Sequence, residues 1–121
     1  MHGNGFTQLI GPFGGLEENF DLGYKFAERE SDEFHIDLNT GNRVFAEPFL
    51  ALYVSASPKG STQVPTTLCY ARTRAHFSRG LHSTVEDREL LLKAATPFII
   101  ADLQLLLKGE EPESARRFIY R

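Results

Sequence analysis

The most constraining feature of this chain is the run Phe49-Leu50-Ala51-Leu52-Tyr53-Val54-Ser55-Ala56-Ser57, where apolar side chains stand at odd and even positions alike. A β-strand sends successive side chains to opposite faces, so this strand is apolar on both. Such a strand has to lie centrally in a sheet, or be covered on both sides. Its neighbours read differently. Phe20, Leu22, Tyr24 and Phe26 alternate with Asp21, Gly23 and Lys25, and Phe34, Ile36 and Leu38 alternate with Glu33, His35 and Asp37. Period two of this kind marks half-buried strands. A turn at residues 39–42 and a loop holding Pro58, Gly60 and Pro65 punctuate them. A long fourth strand is expected over residues 67–79, with Cys69, Ala71, Thr73, Ala75 and Phe77 on one face. Its other face carries Leu68, Tyr70, Arg72, Arg74 and His76.

After Gly80 the period changes to that of a helix. Thr84 followed by Asp87 is a variant of the capping box, and Glu86, Asp87 and Glu89 suit the positive end of a helix dipole. A helix is expected over residues 85–95. Thr96-Pro97 is a second start signature, so a second helix, or a continuation after a kink, is expected over 98–108, stopped by Gly109. Strands followed by helix give the expected class: α+β, a four-stranded antiparallel sheet with a C-terminal helical region on one face. A chain of 121 residues holds one such domain, taken as 17–121. Residues 1–16 contain five glycines and are expected to form a flexible arm or irregular loop. Residues 116–121 suggest a short strand or docking segment.

Composition narrows the chemistry. One cysteine, Cys69, excludes an intramolecular disulfide and a cysteine zinc cage. None of His2, His35, His76 and His82 has the i, i+4 spacing that converges on a metal. Cys69 and His76 fall on opposite faces of one strand and cannot pair for nucleophilic catalysis. No Walker-type lysine follows the early glycines, and no nucleophile elbow surrounds a serine. The expectation is a protein without catalysis or cofactor. Net charge is −3, and pI about 5.8. The charge is split unevenly, −5 over residues 1–69 and +2 over 70–121. An acidic whole disfavours general nucleic-acid binding. Residues 1–15 lack Lys and Arg and do not resemble a secretory signal. The longest apolar region, 97–107, is interrupted by Asp102 and Gln104 and is shorter than a bilayer span. A soluble cytoplasmic protein without membrane insertion is expected.

Two surfaces are candidates for binding. Arg72 and Arg74, with His76, form a basic row that could meet an acidic partner or an RNA strand. Cross-strand pairing with acids such as Glu33 and Asp37 is the favoured account of it. The second surface is apolar. Ile99, Leu103, Leu106 and Leu107 form a helical stripe that Phe98, Ile100 and Leu105 widen almost all round. A small four-stranded sheet cannot cover such a helix, so the surplus is expected to meet a second subunit or a client. Phe49, Leu52, Val54, Phe98, Ile99, Leu103 and Leu106 are the residues expected there.

Over residues 33–112 the chain resembles the SecB family of export chaperones. The matching segments, in order, are Phe34-His35-Ile36-Asp37-Leu38-Asn39, the run from Phe49 to Ser57, Thr67-Leu68-Cys69-Tyr70-Ala71, and a helix opened by Pro97-Phe98-Ile99-Ile100-Ala101 and closed by Lys108-Gly109. The resemblance implies a dimer or a tetramer built as a dimer of dimers, holding unfolded polypeptides. The family's metal-binding tail for the translocation ATPase has no counterpart in this sequence. Two alternatives stand beside it: a structural or assembly subunit of a phage or secretion complex, and an RNA-binding sheet using Arg72 and Arg74.

Overall fold

The computed structural model describes residues 5–29, 34–36, 43–45, 49–73, 82–112 and 116–118. Its strands are β1 (Thr7–Gln8), β2 (Phe20–Arg29), β3 (Phe34–Ile36), β4 (Arg43–Phe45), β5 (Phe49–Pro58), β6 (Thr66–Thr73) and β7 (Arg116–Phe118). Among the described residues one helix, α1 (Val85–Leu107), lies between β6 and β7. The main sheet has the order β1-β2-β5-β6-β7.

The doubly apolar strand is central, as its sequence requires. β5 is antiparallel to β2, from Phe20 opposite Pro58 to Arg29 opposite Phe49. On its other side it is antiparallel to β6, from Phe49 opposite Thr73 to Ala56 opposite Thr66. β1, β2, β5 and β6 thus make a four-stranded antiparallel sheet with the helix packed against it, the expected α+β arrangement. Leu50, Leu52, Val54 and Ala56 face α1 together with Phe20, Leu22, Leu68 and Tyr70, and they meet Leu91, Ala95, Ile99 and Leu103. Burying each large side chain stabilises the fold by about 1.5–3 kcal/mol. The opposite parity, Phe49, Ala51, Cys69 and Ala71, forms a second buried cluster with Tyr53 packed on it. Cys69 is therefore a small core residue.

Three features differ from the sequence expectation. The fourth antiparallel strand is Thr7–Gln8, not the segment beginning at Phe34. Phe34–Ile36 pairs instead with Arg43–Phe45 in a separate two-stranded ladder. Secondly, the glycine-rich segment is anchored from residue 6 onward, because Phe6, Leu9 and Phe13 are buried and the Leu9 amide donates to the Leu22 carbonyl at 2.8 Å. Gly23 makes that approach possible, since a Cβ there would lie 2.9 Å from the Cβ of Phe6. Thirdly, β7 runs parallel to β6, with Arg116–Phe118 opposite Cys69–Ala71. A parallel pair needs a crossover connection, and α1 supplies it.

α1 is one continuous helix of 23 residues. The capping box is complete: Thr84 Oγ1 accepts from the Asp87 amide at 3.1 Å, and Asp87 Oδ2 accepts from the Thr84 amide at 2.8 Å. Thr96 does not cap a second helix. Its hydroxyl donates to the Leu92 carbonyl at 2.9 Å, and Pro97 sits on the exposed side, where a carbonyl deprived of its helical donor meets water. The far end closes with Glu110 N–H on Leu105 O and Gly109 N–H on Leu106 O, Gly109 taking a φ of 79° that favours glycine.

Candidate functional site

The residues expected to form an apolar binding surface divide sharply. Phe49, Leu52, Val54, Ile99 and Leu103 are fully buried, Leu106 is half-buried, and Phe98 is 40% exposed. Five of the seven are thus core residues and cannot meet a partner in this fold. Their apolar character is used up because β5 is flanked on both sides and α1 lies along one face. Phe98 remains part of the exposed apolar surface, and the rest of it lies outside the expected set, at Val85, Leu90 and Leu107 on the helix and at Ile10 and Val64 beyond it. The i, i+4 spacing of Leu90, Ala94 and Phe98 was the sequence signal for part of this surface.

The continuity of α1 also changes the membrane argument. Its 23 residues reach about 34 Å, so by length and composition the helix could cross a bilayer, and length no longer excludes it. Little more than a quarter of its most apolar window is buried. The side facing the sheet carries Leu91, Ala95, Ile99 and Leu103, and with them two buried aspartates, Asp87 and Asp102.

Both aspartates answer to β6. Tyr70 Oη donates to Asp102 Oδ2 at 2.6 Å, with both side chains fully buried. Arg72, two residues along on the same face, is 9% exposed and lies in the field of Asp87. Burial holds its guanidinium below the ordinary value, and Asp87 acts in the other direction. The expected basic row is corrected accordingly. Arg72 is buried rather than presented as a surface charge, and Asp87 of α1 is an acidic neighbour of it, while Glu33 and Asp37 lie outside the described residues. Arg74 and His76 lie outside the described residues.

A second electrostatic contact ties β2 to the start of α1. Glu28 accepts from the backbone amide of Ser83, and its Oε2 lies 3.0 Å from His82 Nδ1. These contacts, the Ser83 amide first, lower the Glu28 pKa to about 2. Arg88 lies over the Phe26 ring, 5.6 Å from its centroid, at the same junction.

An open groove of about 680 Å³ lies where β1, the first half of β2, the end of β5 and the 59–65 loop converge. Its walls include Phe6, Ile10 and Pro65, and Gln8, Ser55 and Ser57 add amide and hydroxyl groups. Gly23 and Asp21 stand opposite Ser55 and Ser57 in the ladder, so small side chains keep the groove open. Lys59 places a positive charge on its lining and Asp21 a negative one, beside that of Glu17. Glu17 also lines it, with Oε2 accepting from the Phe13 amide at 3.0 Å, a contact that lowers its pKa. Ile10 is 82% exposed there. This groove escaped sequence reasoning because it is assembled from a segment that reads as a loose arm.

Among the described residues, no group of three or more His, Cys, Asp or Glu side chains could hold a metal ion. Comparisons with protein-family models, with curated proteins and with solved structures find no match to this chain.

Proposed function

We propose that this chain is a SecB-like chaperone that holds extended segments of unfolded polypeptide without catalysis and without a cofactor, in the cytoplasm. The observation that carries the proposal is the open groove of about 680 Å³ beside the two-residue strand β1. An extended segment presents apolar side chains and unpaired backbone groups together. Phe6, Ile10 and Pro65 offer the first an apolar wall, while Gln8, Ser55 and Ser57 offer the second hydrogen-bonding partners. Neither set depends on a particular client sequence. The groove, rather than the expected residues of β5 and α1, is the client site in this reading.

The test is affinity for a reduced, unfolded protein and for its folded form, at low and at high salt. Apolar burial contributes about 25 cal/mol per Å² and tolerates salt. Preference for the unfolded form, retained at high salt and weakened by Ile10→Asp, is expected. Equal affinity for both forms, or loss of binding at a few hundred millimolar salt, would sink the proposal.

A further inference from the structure

One edge of the main sheet is unevenly covered. β2 runs for ten residues and pairs with β5 along all of them. On its other side β1 meets it at only two positions, Thr7 opposite Tyr24 and Gln8 opposite Gly23. The Leu9 amide donates to the Leu22 carbonyl at 2.8 Å, so Leu22 turns its backbone polar groups toward β1. Alternation in an antiparallel ladder turns those of Tyr24, Phe26 and Glu28 the same way. Thr7 answers Tyr24. In the same register Gly5 would answer Phe26, but Gly5 takes a φ of 76° in a bend, and the ladder stops. Among the described residues nothing bonds the outward N–H and C=O of Phe26 or of Glu28.

Natural sheets guard such an edge with charged side chains, proline, a bulge or a very short strand. β2 holds no proline, and its register with β5 runs without a bulge. Its charges beside the open groups are drawn aside. Lys25 Nζ lies over the Phe6 ring, 4.8 Å from its centroid. Glu28 is occupied by the Ser83 amide and by His82. Apolar surface is left next to the open groups, at Ala27 and at Phe26, which is half-buried and stands edge-on to Tyr24 at 5.8 Å.

A row of alternating N–H and C=O groups, held straight by β5, is complementary to one kind of ligand, an extended backbone. We propose that an extended segment of the client adds to the sheet as a further strand on residues 25–29 of β2, end to end with β1, and lays an apolar side chain on Phe26. The occupant rests on the chaperone reading above. The edge itself is separate, because residues 20–23 of β2 line the groove and residues 25–29 do not. Phe26 and Glu28 together offer two donors and two acceptors to any sequence that can extend.

The experiment is amide hydrogen exchange on the full chain, with and without a reduced, unfolded protein, in the natural sequence and in Ile10→Asp. The amides of Phe26 and Glu28 are expected to slow roughly tenfold on binding, whereas those of Lys25 and Ala27, turned toward β5, change little. Two variants check the backbone contact. Glu28→Pro removes an outward N–H and costs the ladder with β5 no bond, while Glu28→Ala loses the same carboxylate and keeps the N–H. The proline variant is expected to bind the unfolded protein roughly fivefold more weakly than the alanine variant. Binding that leaves exchange at Phe26 and Glu28 unchanged overturns the inference, and if Ile10→Asp weakens that binding the groove stands without the edge. Slowing that survives Ile10→Asp supports the edge and removes the groove. Absence of any binding removes both. Slowing that needs no unfolded protein and grows with the chain's own concentration overturns the inference in favour of a second copy as the occupant.

Discussion

Replacing Tyr70 with Phe removes one oxygen from the centre of the helix–sheet interface and leaves the ring in place. The magnitude follows from the geometry. The hydroxyl donates to Asp102 at 2.6 Å, and both side chains are withdrawn from water. A buried hydrogen bond to a carboxylate contributes about 1.5–3 kcal/mol, much of it the cost of leaving the acceptor undersatisfied. For a domain of this size each kcal/mol moves the melting temperature by roughly 3–5 °C, so a fall of about 5–15 °C is expected. Urea unfolding should show a lower midpoint with an unchanged slope, because the surface exposed on unfolding is the same. A double-mutant cycle with Asp102→Leu separates the pair from its surroundings. Once the carboxylate is gone, Tyr70→Phe should cost far less, since replacing both partners by apolar groups removes the unmet acceptor. A Tyr70→Phe effect under 0.5 kcal/mol in the natural background, or the same effect in both backgrounds, would refute the assignment of Asp102 as its buried partner.

Glu28→Gln should loosen the junction of β2 with α1. In the natural chain the Glu28 contribution is present above the ordinary carboxyl value of 4.5 and lost as pH falls toward about 2, so the variant should flatten the acid limb of a stability–pH curve. Thr84→Ala removes one half of the capping box and should cost about 1 kcal/mol by chemical denaturation, whereas Thr84→Ser should retain most of it. Gly23→Ala should destabilise by roughly 1–3 kcal/mol in urea unfolding, because the new methyl would lie 2.9 Å from the Cβ of Phe6 and 3.4 Å from the Thr7 carbonyl oxygen.

How much was legible in the sequence depended on the range of the interaction that decides each feature. The central place of β5 follows from its own side chains, and the Thr84–Asp87 cap and the Gly109 stop are written within a few residues. Parity correctly put Leu68, Tyr70 and Arg72 on one face of β6. Which face receives the helix is a long-range fact, and it turns Arg72 from a surface charge into a buried one. The strand at Phe34 and the strand at Thr7 show the same limit from opposite sides. Alternation over 34–38 is a strong local signal, yet among the described residues 34–36 pair with β4 and not with the main sheet. Residues 7 and 8 carry almost no signal and join the main sheet, because Phe6, Leu9 and Phe13 anchor the glycine-rich segment around them. The candidate apolar site failed for a related reason. Counting apolar residues found the surplus, but only the packing of α1 over β5 and β6 decides which of them remain outside.

The parallel pairing of β7 with β6 makes α1 a helix held at both ends. A helix tied to a sheet at one end can fray away from the other and exchange its amide hydrogens by small, separate openings. Here the chain enters α1 from β6 and returns to β6 through β7, so undocking the helix strains or breaks the Arg116–Phe118 ladder as well. Helix, return strand and receiving strand therefore open as a single cooperative unit. Amides in the middle of α1 should exchange at nearly the same free energy as those of β6, and slower than those flanking β1.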